Sequence, residues 1–126
     1  MRKLLLICFS IIALSGCVSP MTKQDVANAT YSELPANYKD EITEVIKYSL
    51  KDPDSAKFIF HEPRLAYTAA SKNVAYVVPI DVNAKNSYGG YVGYKTMYYA
   101  YTNERYQDVT TGIKYTAVKW VDEITE

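Results

Sequence analysis

The sequence predicts an α+β domain, with one amphipathic helix packed on a three- or four-stranded antiparallel meander sheet. Three observations predict it. Between Pro35 and Lys51, the residues Tyr38, Ile42, Val45, Ile46 and Leu50 fall on one helical face. From Lys57 onward the chain changes to short β-rich runs: Phe58–Phe60, Leu65–Ala69, Val74–Val82, Tyr91–Thr102 and Ile113–Val121. The connections between these runs are short, which suits antiparallel hairpins better than crossovers. A helix with one apolar stripe needs a second layer to cover it, and the sheet supplies that layer.

At the amino terminus, Arg2 and Lys3 precede an apolar run from Leu4 to Leu14, broken only by Ser10. A charged start, a short apolar stretch and a small-residue exit describe a secretory signal. The run falls short of the roughly 20 apolar residues that a membrane span requires. Leu14-Ser15-Gly16-Cys17 resembles the lipobox of bacterial lipoproteins. That resemblance implies cleavage before Cys17 and acylation of its sulfur and new amino terminus with three chains. Val18 follows the cysteine where an aspartate would favour the inner membrane. By the sorting rule of enteric-type bacteria, this implies an outer-membrane anchor facing the periplasm. The competing reading is an ordinary signal peptide with a coincidental cysteine. Residues 1–16 are thus expected to be a signal peptide, residues 17–34 the acylated Cys17 and a flexible tether, and residues 35–126 a single domain.

Processing constrains the chemistry. Cys8 leaves with the leader and Cys17 carries lipid, so no disulfide, thiolate nucleophile or cysteine metal site is expected. The 110 residues after position 16 suffice for one core. Without Arg2 and Lys3, 12 basic residues stand against 14 acidic ones, with no basic run, which argues against nucleic acid as a partner. Tyrosine is the compositional outlier at 13 residues, against three phenylalanines and one tryptophan. Seven of the tyrosines lie between Tyr76 and Tyr101.

Taken in order, the segment from Val18 to Leu34 is polar and rich in small residues, and a flexible chain of that length spans about 20–25 Å. In the helix that follows, Asp40, Glu41 and Glu44 precede Lys47 and Lys51, matching the helix dipole. Asp52-Pro53 stops it, since proline cannot continue the hydrogen-bond ladder. Along Val74–Val82, the residues Val74, Tyr76, Val78, Ile80 and Val82 share a face, which is expected to lie beside Ile42 and Ile46. Pro79 occupies the opposite face and signals an edge or a bulge. Asn83 to Gly90 is turn material, and Asn103 to Gly112 reads as a polar loop.

Two stretches stand out. They are Leu50-Lys51-Asp52-Pro53-Asp54-Ser55-Ala56-Lys57-Phe58 and Asp81-Val82-Asn83-Ala84-Lys85-Asn86-Ser87-Tyr88-Gly89-Gly90-Tyr91-Val92-Gly93-Tyr94. Together they resemble a set of small bacterial and phage-associated proteins of unknown function, many of them lipoproteins or secreted. The resemblance covers roughly Tyr38 to Tyr101 and brings no catalytic residues with it. In those proteins a Cys-Gly-Glu run precedes the second stretch, and here Pro79-Ile80-Asp81 stands in its place.

An enzyme is not expected, nor a cofactor or metal. His61 is the single histidine, and Asp52, Asp54, His61 and Glu62 match no metal-ligand spacing. Glu104 and Asp108 read as solvated loop acids. Expectation falls instead on contact. If Val92, Tyr94, Thr96, Tyr98 and Ala100 cover the helix, the other face displays Tyr91, Lys95, Met97, Tyr99 and Tyr101. The proposed partner-binding set is Lys85, Asn86, Tyr88, Tyr91, Lys95, Tyr99 and Tyr101, because tyrosine is enriched at interfaces and hot spots. The competing use of the tyrosines is cross-strand pairing that stabilises the sheet. Two functions fit: an envelope lipoprotein that binds another envelope protein or peptidoglycan, or a phage- or plasmid-type exclusion lipoprotein that blocks a receptor, transfer channel or hydrolase.

Overall fold

The computed structural model describes residues 19–125, so the leader, Cys17 and Val18 lie outside the described residues. The fold is α+β, built on an open antiparallel sheet of six strands. Its elements are α1 (Lys23–Ala27), α2 (Tyr38–Ser49), β1 (Lys57–Phe60), β2 (Arg64–Thr68), β3 (Val74–Asn83), β4 (Lys95–Thr102), β5 (Arg105–Asp108), α3 (Thr110–Lys114) and β6 (Val118–Trp120). The strand order is β5-β4-β3-β2-β6, with β1 also paired to β3.

The expected three- or four-stranded meander is therefore exceeded. The stretch read as a polar loop contains β5, which pairs with β4 through Tyr99↔Asp108 to Thr102↔Arg105. Asn103 and Glu104 make this hairpin tight by adopting positive φ, a conformation that favours asparagine among non-glycine residues. The last expected strand is only Val118–Trp120, and it crosses back to pair with β2 rather than following β5.

β3 is the central strand, and Pro79 sits inside it. The same edge of β3 is shared by β1 (Phe60↔Ile80) and β2 (Arg64↔Val77), which leaves three residues opposite two. The carbonyl of Pro79 accepts from the His61 N–H at 3.0 Å. In a strand the N–H and C=O of one residue point the same way, so the N–H that proline lacks would face this interruption. The ladder loses nothing, and the proline marks a bulge in the middle of the sheet.

The α2 stripe packs as the periodicity predicts. Ile42 and Ile46 are fully buried against Val78, Ile80, Val82 and Tyr99, with Tyr38, Leu50, Phe58, Phe60, Met97 and Tyr106 around them. Val45 stands at the edge of this layer, 42% exposed. A second cluster on Tyr67 and Val74 covers the rest of that sheet face.

Segment 19–34 does not behave as a flexible tether. Thr22 and Asp25 form a reciprocal capping box at the start of α1. Met21 is 4% exposed and lies against Tyr67 and Val74, joined by Val26, Ala29 and Tyr31. The Tyr31 ring meets Tyr76 edge-on at 5.6 Å. Isolated apolar residues in a polar segment show no period, yet each of these finds a slot that the short helix α2 leaves open.

Candidate interaction site

The two stretches singled out in the sequence meet in space. After α2, Pro53–Ser55 forms a single 3-10 turn with proline at its start, where its missing N–H is not needed. This turn presents Ser55 to the loop that leaves β3. The Lys85 N–H donates to the Ser55 Oγ at 2.9 Å, and the Tyr91 hydroxyl donates to the Ser55 carbonyl at 2.9 Å. The loop itself closes through a bridge between Lys85 and Tyr91.

Its interior is tied by two asparagines. The Asn86 side-chain oxygen accepts from the N–H groups of Tyr88 and Gly90, and the Asn83 side-chain oxygen accepts from Gly93. Gly89 and Gly93 take φ values of +81° and +93°, which glycine adopts without strain. The loop is thus held by the side chains of Asn83 and Asn86 and by Ser55, a suitable condition for binding without a large ordering cost.

What the loop displays is aromatic and cationic. Tyr88 is 97% exposed, and Tyr91, Val92 and Tyr94 are also exposed. The ammonium groups of Lys57 and Lys85 lie 4.7 Å and 5.5 Å from the centre of the Tyr91 ring. Each cation is attracted to the ring quadrupole. Lys95, at the start of β4, is exposed and opposite Val82. Among the described residues, the ion pairs are Glu44–Lys47, His61–Asp81 and Arg64 with Asp122 and Glu123, and none of them engages Lys57, Lys85 or Lys95.

Five of the seven expected contact residues, Lys85, Asn86, Tyr88, Tyr91 and Lys95, lie at or beside this loop. Tyr99 and Tyr101 do not. Tyr99 is 5% exposed and belongs to the core under α2, and Tyr101 is buried with its ring 5.0 Å from that of Tyr106. The faces of β4 are the reverse of those expected, because Val78 pairs with Tyr99 and Ile80 with Met97. Directly opposed residues share a face, so the odd-numbered side of β4 covers the helix. Val92 and Tyr94 are not in the strand at all, since β4 begins at Lys95. Ser55 and Lys57 were readable only as helix stop and strand start. Their motif was visible, but the contact across some 30 residues was not.

Two other features bear on chemistry. On the sheet face away from α2, Asp81 accepts from the Thr96 hydroxyl at 2.6 Å and pairs with His61 Nε2 at 2.9 Å. The Thr96 hydrogen bond, then His61, holds the Asp81 carboxyl below its ordinary range. Both carboxylate oxygens are taken, so the group ties β3 to β4 and to the segment that follows β1. Stability from a carboxyl with depressed folded-state pKa is complete above its unfolded value near 3.9 and is lost as pH falls through the lower folded value. Melting curves of wild type and Asp81→Asn should therefore differ at neutral pH and converge below about pH 4. A difference that is constant with pH would mean that the tie is not ionic.

Between the β2–β3 and β4–β5 hairpins lies a hollow of about 440 Å3. Ala66, Ala75, Val77 and Ala100 contribute to its lining, along with Asn73, Thr102 and Gln107, and no Asp, Glu, His, Lys or Arg. Among the described residues, no group of three His, Cys, Asp or Glu side chains is placed to hold a metal ion, and no helix is long and apolar enough to cross a membrane.

Comparison with protein-family models, with curated proteins and with solved structures gave no match.

Proposed function

We propose that this chain is a lipid-anchored envelope protein that works as a non-enzymatic binding module, holding an acidic envelope protein on the loop from Lys85 to Lys95. The observation that carries the reading is the convergence on Tyr91. An ordered loop holds exposed tyrosines beside two lysines that have no carboxylate partner among the described residues, and this arrangement calls for an anionic, flat surface to complete it. Tyrosine contributes large contact area at low entropic cost, while the lysines steer the encounter and fix the partner's charge. Cys17 supplies the anchor and Val18 the outer-membrane address in this reading.

The experiment uses the anchored protein in intact cells, with a photo-crosslinking residue placed at Tyr88 or at Tyr48. Both positions are almost fully exposed, at 97% and 96%, but Tyr48 lies on α2. A discrete adduct from position 88 and none from 48 is expected, in the outer-membrane fraction, and both adduct and membrane attachment should be lost in Cys17→Ala. Equal adducts from the two positions would refute the assignment of the loop. A position-88 adduct with glycan strands would make peptidoglycan the partner.

A further inference from the structure

The burial of Met21 has a consequence for how the anchored protein stands, and it rests on the reading of Cys17 as the acylated residue. A chain pinned at Met21 has no spacer from that residue onward. Met21 is held by Tyr67 and Val74, α1 is closed by its capping box, and Tyr31 is held by Tyr76. Cys17 precedes Met21 by four residues, a reach of at most about 14 Å when fully extended. The headgroup layer alone is roughly 5–8 Å deep on each side of the hydrocarbon core. Met21 then stands no more than about 10 Å beyond the headgroups.

The side chains that surround this point suit a lipid surface. The groove at Pro20 and Met21 is bounded by Ile113, Thr116, Lys119, Trp120, Glu123 and Ile124. Beside it, Tyr115 is exposed, with the Lys114 ammonium 5.4 Å from its ring centre. Lys119, directly opposite Tyr67 in the sheet, is exposed as well. Aromatic rings and lysines whose stems lie on apolar surface while the charge stays in water are the side chains favoured at membrane interfaces. Arg64 pairs closely with Asp122 and approaches Glu123 of the groove at 3.8 Å, which reduces the repulsion of anionic headgroups by these acids.

We infer that the surface around Met21, formed by Ile113, Thr116, Lys119 and Trp120, docks on the phospholipid bilayer, so that β3 stands as a strut between membrane and binding loop. Val74, at one end of β3, belongs to the same buried cluster as Met21, whereas Asn83, at the other end, holds the loop through Gly93. Ten strand residues span about 30 Å, so the Lys85–Lys95 loop is held well clear of the headgroups and faces away from them. The sheet provides the stand-off expected of a tether.

The test uses the full, acylated protein in vesicles with phosphatidylethanolamine in excess over phosphatidylglycerol. With Cys8 removed and Cys17 acylated, a newly introduced cysteine is the sole free thiol. Lys119→Cys and Tyr88→Cys, both at exposed positions, are each labelled with an environment-sensitive fluorophore and exposed to lipids that carry a headgroup quencher. Loss of most of the fluorescence at position 119 and none at 88 is the expected result. Flotation with the vesicles but no quenching at 119, or equal quenching at both positions, overturns the docking while leaving the anchor intact. Failure of the processed protein to float overturns the lipoprotein reading and the docking with it.

Discussion

Replacing Tyr99 by alanine should destabilise the domain by about 3–5 kcal/mol, the range for deleting a buried aromatic ring. The ring is 5% exposed and sits among Ile42, Ile46, Val78, Ile80 and Val82, at the point where the helix crosses the sheet. Burial, then the Asp108 carboxylate on the paired strand, raises the pKa of its hydroxyl, so the group stays neutral at ordinary pH. For a domain of about 100 residues, such a loss lowers the melting temperature by more than about 10 °C. Thermal melts of a protein carrying Tyr99→Ala measure it directly. A variant that melts like its parent would return Tyr99 to the surface and with it the first assignment of the β4 faces. The same substitution distinguishes two uses of tyrosine within one chain, because Tyr88→Ala removes a ring that touches solvent and should leave the melt unchanged.

Ile42→Ala and Ile46→Ala should each cost about 2–4 kcal/mol, from the lost transfer of the removed methylenes and the cavity left behind. Both side chains are 0% exposed, in one cluster with Val78, Ile80, Val82 and Tyr99. The double variant should lose less than the sum, since the two residues lie one turn apart and share Val78 and Ile80 as neighbours. Chemical denaturation with a constant slope would assign the loss to the native state rather than to a change in compactness. Full additivity would show that the two sites relax independently.

The α2 stripe was legible because helical periodicity is local: five apolar residues at the right spacing need no knowledge of the rest of the chain. Its partners Val78 and Ile80 were legible for the same reason, since strand alternation also repeats within a few residues. The parity of β4 was not. It is set by pairing Val78 with Tyr99 across a loop of more than ten residues, and a shift of one residue exchanges the two faces. The apolar character of Val92 and Tyr94 suggested the wrong parity, because both belong to the loop. β5 was missed for a different reason. Arg105, Gln107 and Asp108 carry little β-propensity, and pairing with β4 overrides it. Tyr106 alone hinted at burial, and its hydroxyl donates to Glu41 on α2.

The candidate site was legible in its parts and not in its assembly. Lys85, Asn86, Tyr88, Tyr91 and Lys95 follow from turn chemistry and tyrosine enrichment. That Ser55 and Lys57 complete the site depends on where β1 pairs with β3, Lys57 lying opposite Asn83. This register brings the end of one motif against the start of the other. It also explains why both stretches were distinctive, since each must satisfy the backbone of its neighbour as well as its own turn.

The most direct test of the binding loop is the yield of the position-88 adduct in a Lys57→Glu/Lys85→Glu variant. Lys57 is exposed and Lys85 partly buried, and neither pairs with an acid among the described residues, so the stability lost is that of their contacts with the Tyr91 ring, about 0.5–1 kcal/mol for each, and the fold should persist. Reversing two charges against an acidic partner removes both the steering and the attraction, and the adduct should disappear while membrane attachment through Cys17 remains. Retention of the adduct at wild-type yield, with the fold and anchor intact, would contradict the account, because the lysines that converge on Tyr91 would then have no part in binding.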